Sequence, residues 1–315
     1  RQHPLDSPPS PSAARWSSPV GVIRLEGAGS RRFLHGQSSQ AIELAPEGGC
    51  LASCLISPTA RMRALALVRL EANAAELVVL AGDAEAVHQA LDRVLFPADG
   101  VRLGPVQPAQ LVRWIGTPTP SEADPAPQLL QPGVDLGAGT EQACWLHQPG
   151  DTLPAWLAAL PELTNEQVEQ RRLRSGFPAA PGELNDDTNP FELGLAPWVN
   201  LNKGCYVGQE TLAKLATYDG VKQQLRYWRA DRSGLPSAPA ATGELTPGTS
   251  LTTAAGERAG VITSALHSSD GSEGLALVRR QALAEAELLA PGGQRLCISR
   301  PSGFVDPPVG AGGGR

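Results

Sequence analysis

Residues Leu201 to Leu212, LNKGCYVGQETL, set a lysine, a cysteine and a tyrosine between two glycines. Gly204 and Gly208 can adopt backbone angles closed to other residues, so the segment can turn tightly and hold Lys203, Cys205 and Tyr206 close to a ligand. The following QETLAKLAT is rich in helix formers, with Leu212 and Leu215 spaced for one face, which places Cys205 in a loop just ahead of a helix N-terminus. That position favours a thiolate. Alone it is insufficient, because a thiol of pKa about 8.5 is only about 3 percent ionised at pH 7 and a helix end contributes about 0.3 to 1 kcal/mol. Substantial ionisation requires the Lys203 ammonium to point at the sulfur. The chemistry expected here is a reactive thiol, against the alternative of a small buried hydrophobe.

Other chemistries lack residues. HExxH, GxSxG and P-loop patterns are absent, and the five histidines are scattered. Cys50 and Cys54 lie in an alternating apolar stretch and read as packed thiols rather than metal ligands, and Cys144 with His147 forms a CxxH without a second pair. With Cys297 the cysteines number five, spread along 315 residues, so a reducing compartment is expected rather than a disulfide framework. The formal net charge of -6 disfavours direct nucleic-acid binding, and no apolar run approaches the length of a membrane-crossing helix.

The elements that position the loop follow in chain order. Residues 1–18, rich in proline and serine, are expected to form a disordered leader. A strand is predicted over Val20 to Leu25, then a glycine turn and a helix begun by Ser30 with Phe33 and Leu34 inward. The GxG turn lacks the third glycine of a dinucleotide fingerprint, since Arg32 stands in its place. Cys50 to Leu70 reads as two strands broken at Ser57 and Pro58, hence a hairpin. ELVVLAG is another strand, and AEAVHQALDRVLF an amphipathic helix with Val87, Leu91, Val94 and Leu95 on one face and His88 solvated. VRLGPVQPAQLVRWIG suggests short strands, followed by a proline-rich connection from Thr117 to Gly133. TNEQ at Thr164 is a capping box for a helix stopped at Gly176 and Pro178; on it Arg171 and Arg174 share a face, with Arg172 turned away. Residues 231–250 read as a domain linker, and short strands beyond it as a small all-β unit.

KGCYVGQE, Lys203 to Glu210, resembles the signature of the YgfZ family, relatives of the glycine-cleavage T-protein that bind tetrahydrofolate and support iron-sulfur proteins. RRFLHGQSSQ (31–40) is similar to the family's early FLxGQ segment. RRLRSGFPAAPGEL with NPFELGLAPWVNLNKG (171–204) resembles its lead-in, and GERAGVITSAL with GLALVRR its C-terminal barrel. The resemblance implies an α+β fold: a T-protein-like folate-binding body with a central cavity over 19–230, a C-terminal β-barrel over 251–308, and a tail, 309–315. It implies tetrahydrofolate or a derivative as cofactor, and iron-sulfur client enzymes or their assembly machinery as partners, with support of tRNA modification among the outcomes. Cytoplasmic localisation, or organellar if eukaryotic, is expected.

By the same resemblance Glu192 stands where the T-protein has its pterin ligand, and a carboxylate there can accept paired bonds from a pterin. Tyr206 could stack on the flat ring, and Gln209, Gly204 and Gly208 shape the pocket. Trp198 is expected in the core. The arginines of the Thr164 helix read as a solvated face or as attraction for a folate's glutamate tail, with Arg172 counted among the ligand-binding residues. The T-protein's paired aspartates align with Ala64 and Leu65, neither of which holds a proton, so the aminomethyl-transfer mechanism is not expected. The rival functions are a folate-dependent one-carbon transferase or demethylase and a pure interaction module.

Overall fold

The apolar run of the predicted hairpin is so continuous because both faces of its sheet are covered. In the computed structural model, which describes residues 11–116, 127–139, 142–231 and 244–310, the chain begins with β1 (Ala14–Glu26), α1 (Ser30–Gln37), β2 (Cys50–Ile56), β3 (Met62–Leu70) and β4 (Ala74–Ala81). It continues through α2 (Ala84–Val94), β5 (Arg102–Ile115), β6 (Leu129–Leu130), β7 (Cys144–His147), α3 (Ala155–Ala158), α4 (Asn165–Ser175) and α5 (Gln209–Thr217). Seven strands form one sheet in the order β2-β3-β4-β1-β5-β7-β6.

Alternate residues of the central strands feed two cores. Leu65 and Leu67 of β3, with Val20 and Val22 of β1, face a layer built from Leu173, Phe191, Trp198, Tyr206 and Leu212. Ala64, Ala66 and Val68, with Ile23 and Leu25, face α1 and α2 through Phe33, Leu34, Val87 and Leu91. Each fully buried leucine contributes about 1.5 to 3 kcal/mol, which makes this sheet the anchor of the body.

The second unit comprises β8 (Gln223–Asp231), β9 (Ser250–Thr252), β10 (Arg258–Ser268), β11 (Gly271–Arg279), β12 (Glu287–Leu289) and β13 (Arg295–Ser299), closed as β10-β11-β8-β13-β12-β9. Trp228 fills its centre, fully buried, and donates its indole N–H to the Leu275 carbonyl at 3.0 Å. Gly274 makes room for that indole, since a Cβ there would sit 2.6 Å from the ring.

Local signals are realised where they were strongest. Thr164 and Gln167 exchange both bonds of the capping box, and Gly176 ends α4 with φ +77°. Several boundaries differ. β1 starts at Ala14, inside the expected leader, because Ala14 to Pro19 pair with Ile115 to Gln110 of β5. β5 is one 14-residue strand rather than several short ones, its irregularity absorbed by a register shift opposite Ile23 and Leu25. β8 belongs to the barrel, so the expected domain linker at 231–250 falls between two barrel strands in the sequence and not ahead of the barrel; closure needs the sixth strand. Val94 is exposed, and His88 bonds the Gly104 carbonyl at 2.9 Å instead of standing free in solvent. The expectations for 1–10, 117–126, 232–243 and 311–315 lie outside the described residues.

Candidate functional site

α1 ends two residues before Ser39, whose amide bonds the Cys54 carbonyl of edge strand β2 at 3.1 Å, and the helix's last carbonyls lack helical partners. The KGCYVGQE loop supplies some of them. Lys203 Nζ donates to the carbonyls of His35, Ser38 and Gln40 at 2.5, 2.7 and 2.5 Å, and the Val207 amide donates to the Gly36 carbonyl at 3.0 Å. The ammonium also lies 4.3 Å from the centroid of the Tyr206 ring. An ammonium has three protons, and here all three go to carbonyl oxygens. The expectation that Lys203 points at the Cys205 sulfur is therefore corrected: its charge serves the negative end of a helix. Burial pushes the Lys203 ammonium down to about 7, and the three acceptors oppose that by favouring the protonated form.

Cys205 itself is exposed, as is Gly204, whose φ of +95° requires glycine although a Cβ there would meet no atom within 4 Å. Gly208 is more tightly constrained: with φ +83°, its Cβ would lie 2.7 Å from Ile56 and 2.8 Å from the Ser57 carbonyl. Gln209, half-buried, opens α5 with its amide on the Tyr206 carbonyl at 3.1 Å. Tyr206 does not offer an open stacking face. It is 8 % exposed, packed in the core under Lys203, with a buried hydroxyl that has no partner among the described residues. Burial pushes that phenol up.

Glu192 forms a second locus, between body and barrel. It is 7 % exposed; Oε1 accepts from Asn189 Nδ2 at 2.8 Å and Oε2 from Gln223 Nε2 at 2.9 Å, while its carbonyl accepts the Leu225 amide at 2.8 Å. Burial pushes the carboxyl above its ordinary value, against the pull of Gln223. Gln223 lines a groove of about 760 Å³ with Thr188, Asn185, Thr263 and Ser264. Thr263 sits at a register shift in β10, is 7 % exposed and has a hydroxyl with no partner among the described residues; such irregularities re-aim side chains. Opposite it Gly182 approaches so closely that a Cβ would fall 2.3 Å from the Thr263 carbonyl.

Arg172 lines the same groove but has no donor to spare. Its guanidinium bonds both carboxylate oxygens of Glu169 (2.9 and 2.6 Å), Glu183 Oε1 (3.0 Å), the Phe177 carbonyl (2.9 Å) and Ser264 Oγ (3.1 Å). All five N–H groups are used, which corrects its assignment to a ligand. Arg174 is likewise paired, with Glu273 at 3.1 Å. Ala64 and Leu65 are fully buried in β3, and Trp198 is buried in the core. Among the described residues, no group of three or more His, Cys, Asp or Glu is placed to hold a metal.

His35, Gln223 and Thr263 were not singled out in the sequence. His35 lies inside FLHGQ, but its ring partners, Glu43 and Lys203, are 8 and 168 residues away.

Comparison with known proteins places these features in context. Residues 234–304 match the family model of the CAF17 C-terminal β-barrel domain. A chloroplastic protein of Arabidopsis thaliana, provisionally named a transferase, is 30% identical over 292 residues, which cover 84% of this chain and 65% of that protein. The chain thus spans just under two thirds of the length of this curated relative. The glycine cleavage system aminomethyltransferase T of Bartonella henselae superposes with a TM-score of 0.71 at 19% identity, over 94% of this chain and 88% of that one.

Proposed function

The chain carries the CAF17 C-terminal barrel on a body with the glycine-cleavage T-protein fold, as its YgfZ-like signature implied, and from that premise we propose that it binds a tetrahydrofolate and supports iron-sulfur client enzymes through Cys205. The observation that carries the reading is the thiol's placement: Cys205 is exposed on a loop pinned to α1 on both sides, while Cys50, Cys54 and Cys144 are wholly or largely buried and Cys297, the other exposed thiol, lies on barrel strand β13. Cys205 is the working group, its loop shaped by Gly204 and Gly208, with Gln209 beginning the helix behind it.

The groove beside Glu192 fits a ligand of folate size and character. Its volume is within the roughly 300 to 1,000 Å³ usual for small-molecule sites, and its wall holds a hydroxyl, on Thr263, that has no partner among the described residues and that a polar ligand would satisfy. Glu192 stands behind Gln223 rather than in the groove wall itself; it would accept from a pterin's N–H groups on the lone pairs left free by Asn189 and Gln223, with Gln223, which lines the groove, orienting it. Bound tetrahydrofolate supplies ring nitrogens that carry one-carbon units. The protein's own contribution is to exclude water from the Glu192 carboxylate and to keep it fixed by two amide donors.

The expected location is the cytoplasm, or an organelle in a eukaryote, the latter in keeping with the chloroplastic relative. A one-carbon transferase or demethylase is the second reading, favoured by that relative's name; Ala64 and Leu65 offer it no proton acceptor in β3. Titration with tetrahydrofolate, followed by fluorescence, tests the binding: a saturable change is expected in the wild type, weakened at least tenfold in Glu192→Ala. No change in the wild type refutes it. Cys205→Ala is expected to fold normally and to fail in restoring cluster enzymes to a deletion strain; full restoration refutes the thiol's role.

A further inference from the structure

The segment around Cys205 is fastened on both sides to one short helix. Along the end of α1, the Leu34 carbonyl accepts Ser38 Oγ at 3.0 Å, the His35 carbonyl accepts Lys203 Nζ, and the Gly36 carbonyl accepts the Val207 amide. Consecutive carbonyls thus hold the residues two before and two after the cysteine. The His35 ring adds a third fastening. Its Nδ1 accepts the Glu43 amide at 3.0 Å, which assigns the proton to Nε2, and Nε2 donates to the Lys203 carbonyl at 3.2 Å.

We infer that His35 and Lys203 are positioning residues that clamp the KGCYVGQE loop to the end of α1 and so set how Cys205 is presented. Lys203 acts through its ammonium on three carbonyls, and His35 through a neutral ring that bridges the Glu43 amide to the Lys203 carbonyl. Neither group needs to touch folate or client. The clamp's importance rests on Cys205 being the working group, although its existence does not.

Hydrogen exchange and thiol labelling of the full chain test it, with exposed Cys297 as the internal reference for alkylation by iodoacetamide. Lys203→Met and His35→Phe are expected to raise exchange across 204–208 at least tenfold, equivalent to about 1.4 kcal/mol. They should shift the Cys205 to Cys297 labelling ratio threefold or more, with exchange in β3 unchanged. His35→Gln retains a side-chain N–H for the Lys203 carbonyl and is expected within twofold of wild type on both readouts. The clamp is refuted if His35→Phe leaves both readouts unchanged, or if His35→Gln is as loose as His35→Phe. Should Lys203→Met unfold the chain, the two His35 variants decide alone. Complementation by Cys205→Ala would remove the thiol's role without altering these rates, so the two ideas fail separately.

Discussion

Replacing Arg172 by methionine separates a ligand-binding arginine from a structural one. The change removes bonds to Glu169, Glu183, Phe177 and Ser264 together, and so cuts a tie between α4, the 177–183 segment and β10 of the barrel. What remains is Glu183, fully buried, with the Ala179 amide at 3.1 Å and Ser264 Oγ at 2.8 Å as the donors to its carboxylate among the described residues. Removing one partner of a buried pair costs about 3 to 5 kcal/mol because the other charge is left uncompensated. That is a large share of the roughly 5 to 15 kcal/mol that holds a typical domain. Urea unfolding of the full chain measures it. Adding Glu183→Gln to Arg172→Met should return about 1 to 3 kcal/mol, since the stranded charge is then gone. A loss under about 1 kcal/mol, accompanied by weakened tetrahydrofolate binding, would refute the assignment and give the guanidinium back to the ligand.

Three further outcomes are expected. Gly204→Ala should cost about 1 to 2 kcal/mol for its positive φ alone, and Gly208→Ala about 1 to 3 kcal/mol more for the contacts with Ile56 and Ser57; equal thermal shifts would contradict this. Burial pushes the Cys50, Cys54 and Cys144 thiols up to about 12, so at pH 8 a thiol reagent should titrate two of five cysteines rapidly; four rapid thiols would contradict it. Glu192, with its folded value raised, binds its proton more tightly folded than unfolded, and the stabilisation this gives is full below the ordinary carboxyl value of 4.5 and lost as pH rises through the folded value. Glu192→Gln does not titrate, so urea unfolding at pH 4.5 and 7 should show wild-type stability falling relative to the variant; a relative rise would contradict the sign.

The parts of the molecule legible in the sequence are those whose partners lie close along the chain. The capping box at Thr164, the αL end at Gly176, the hairpin turning at Ser57 and Pro58, and α5 behind Gly208 all rest on neighbours within a few residues. Lys203 shows where such reading stops. Its spacing from Cys205 pointed to the thiol, whereas its acceptors, 163 to 168 residues earlier, became neighbours only when the loop met the end of α1. For Arg172 the partner at Glu169 follows from i,i+3 spacing, but Glu183 and Ser264 do not. Glu192 was reached through the resemblance, and its amide partner Gln223 depends on how β8 leaves the body. The linker expected at 231–250 misplaced the barrel boundary because composition marks a connection without saying which strands it joins.

The attachments at the two chain ends of the barrel, beyond the ion pairs of Arg172 and Arg174, give it a mechanical relation to the groove. At its entry, Gln223 and Leu225 fasten to Glu192; at its exit, Val305 bridges to Leu195 and Phe304 packs over Gly194. Both moorings fall on one four-residue stretch, Glu192 to Leu195. Excising the barrel would strip the carboxylate of its Gln223 donor and open it to water, so the two units cannot be exchanged as cassettes between relatives without carrying that stretch along.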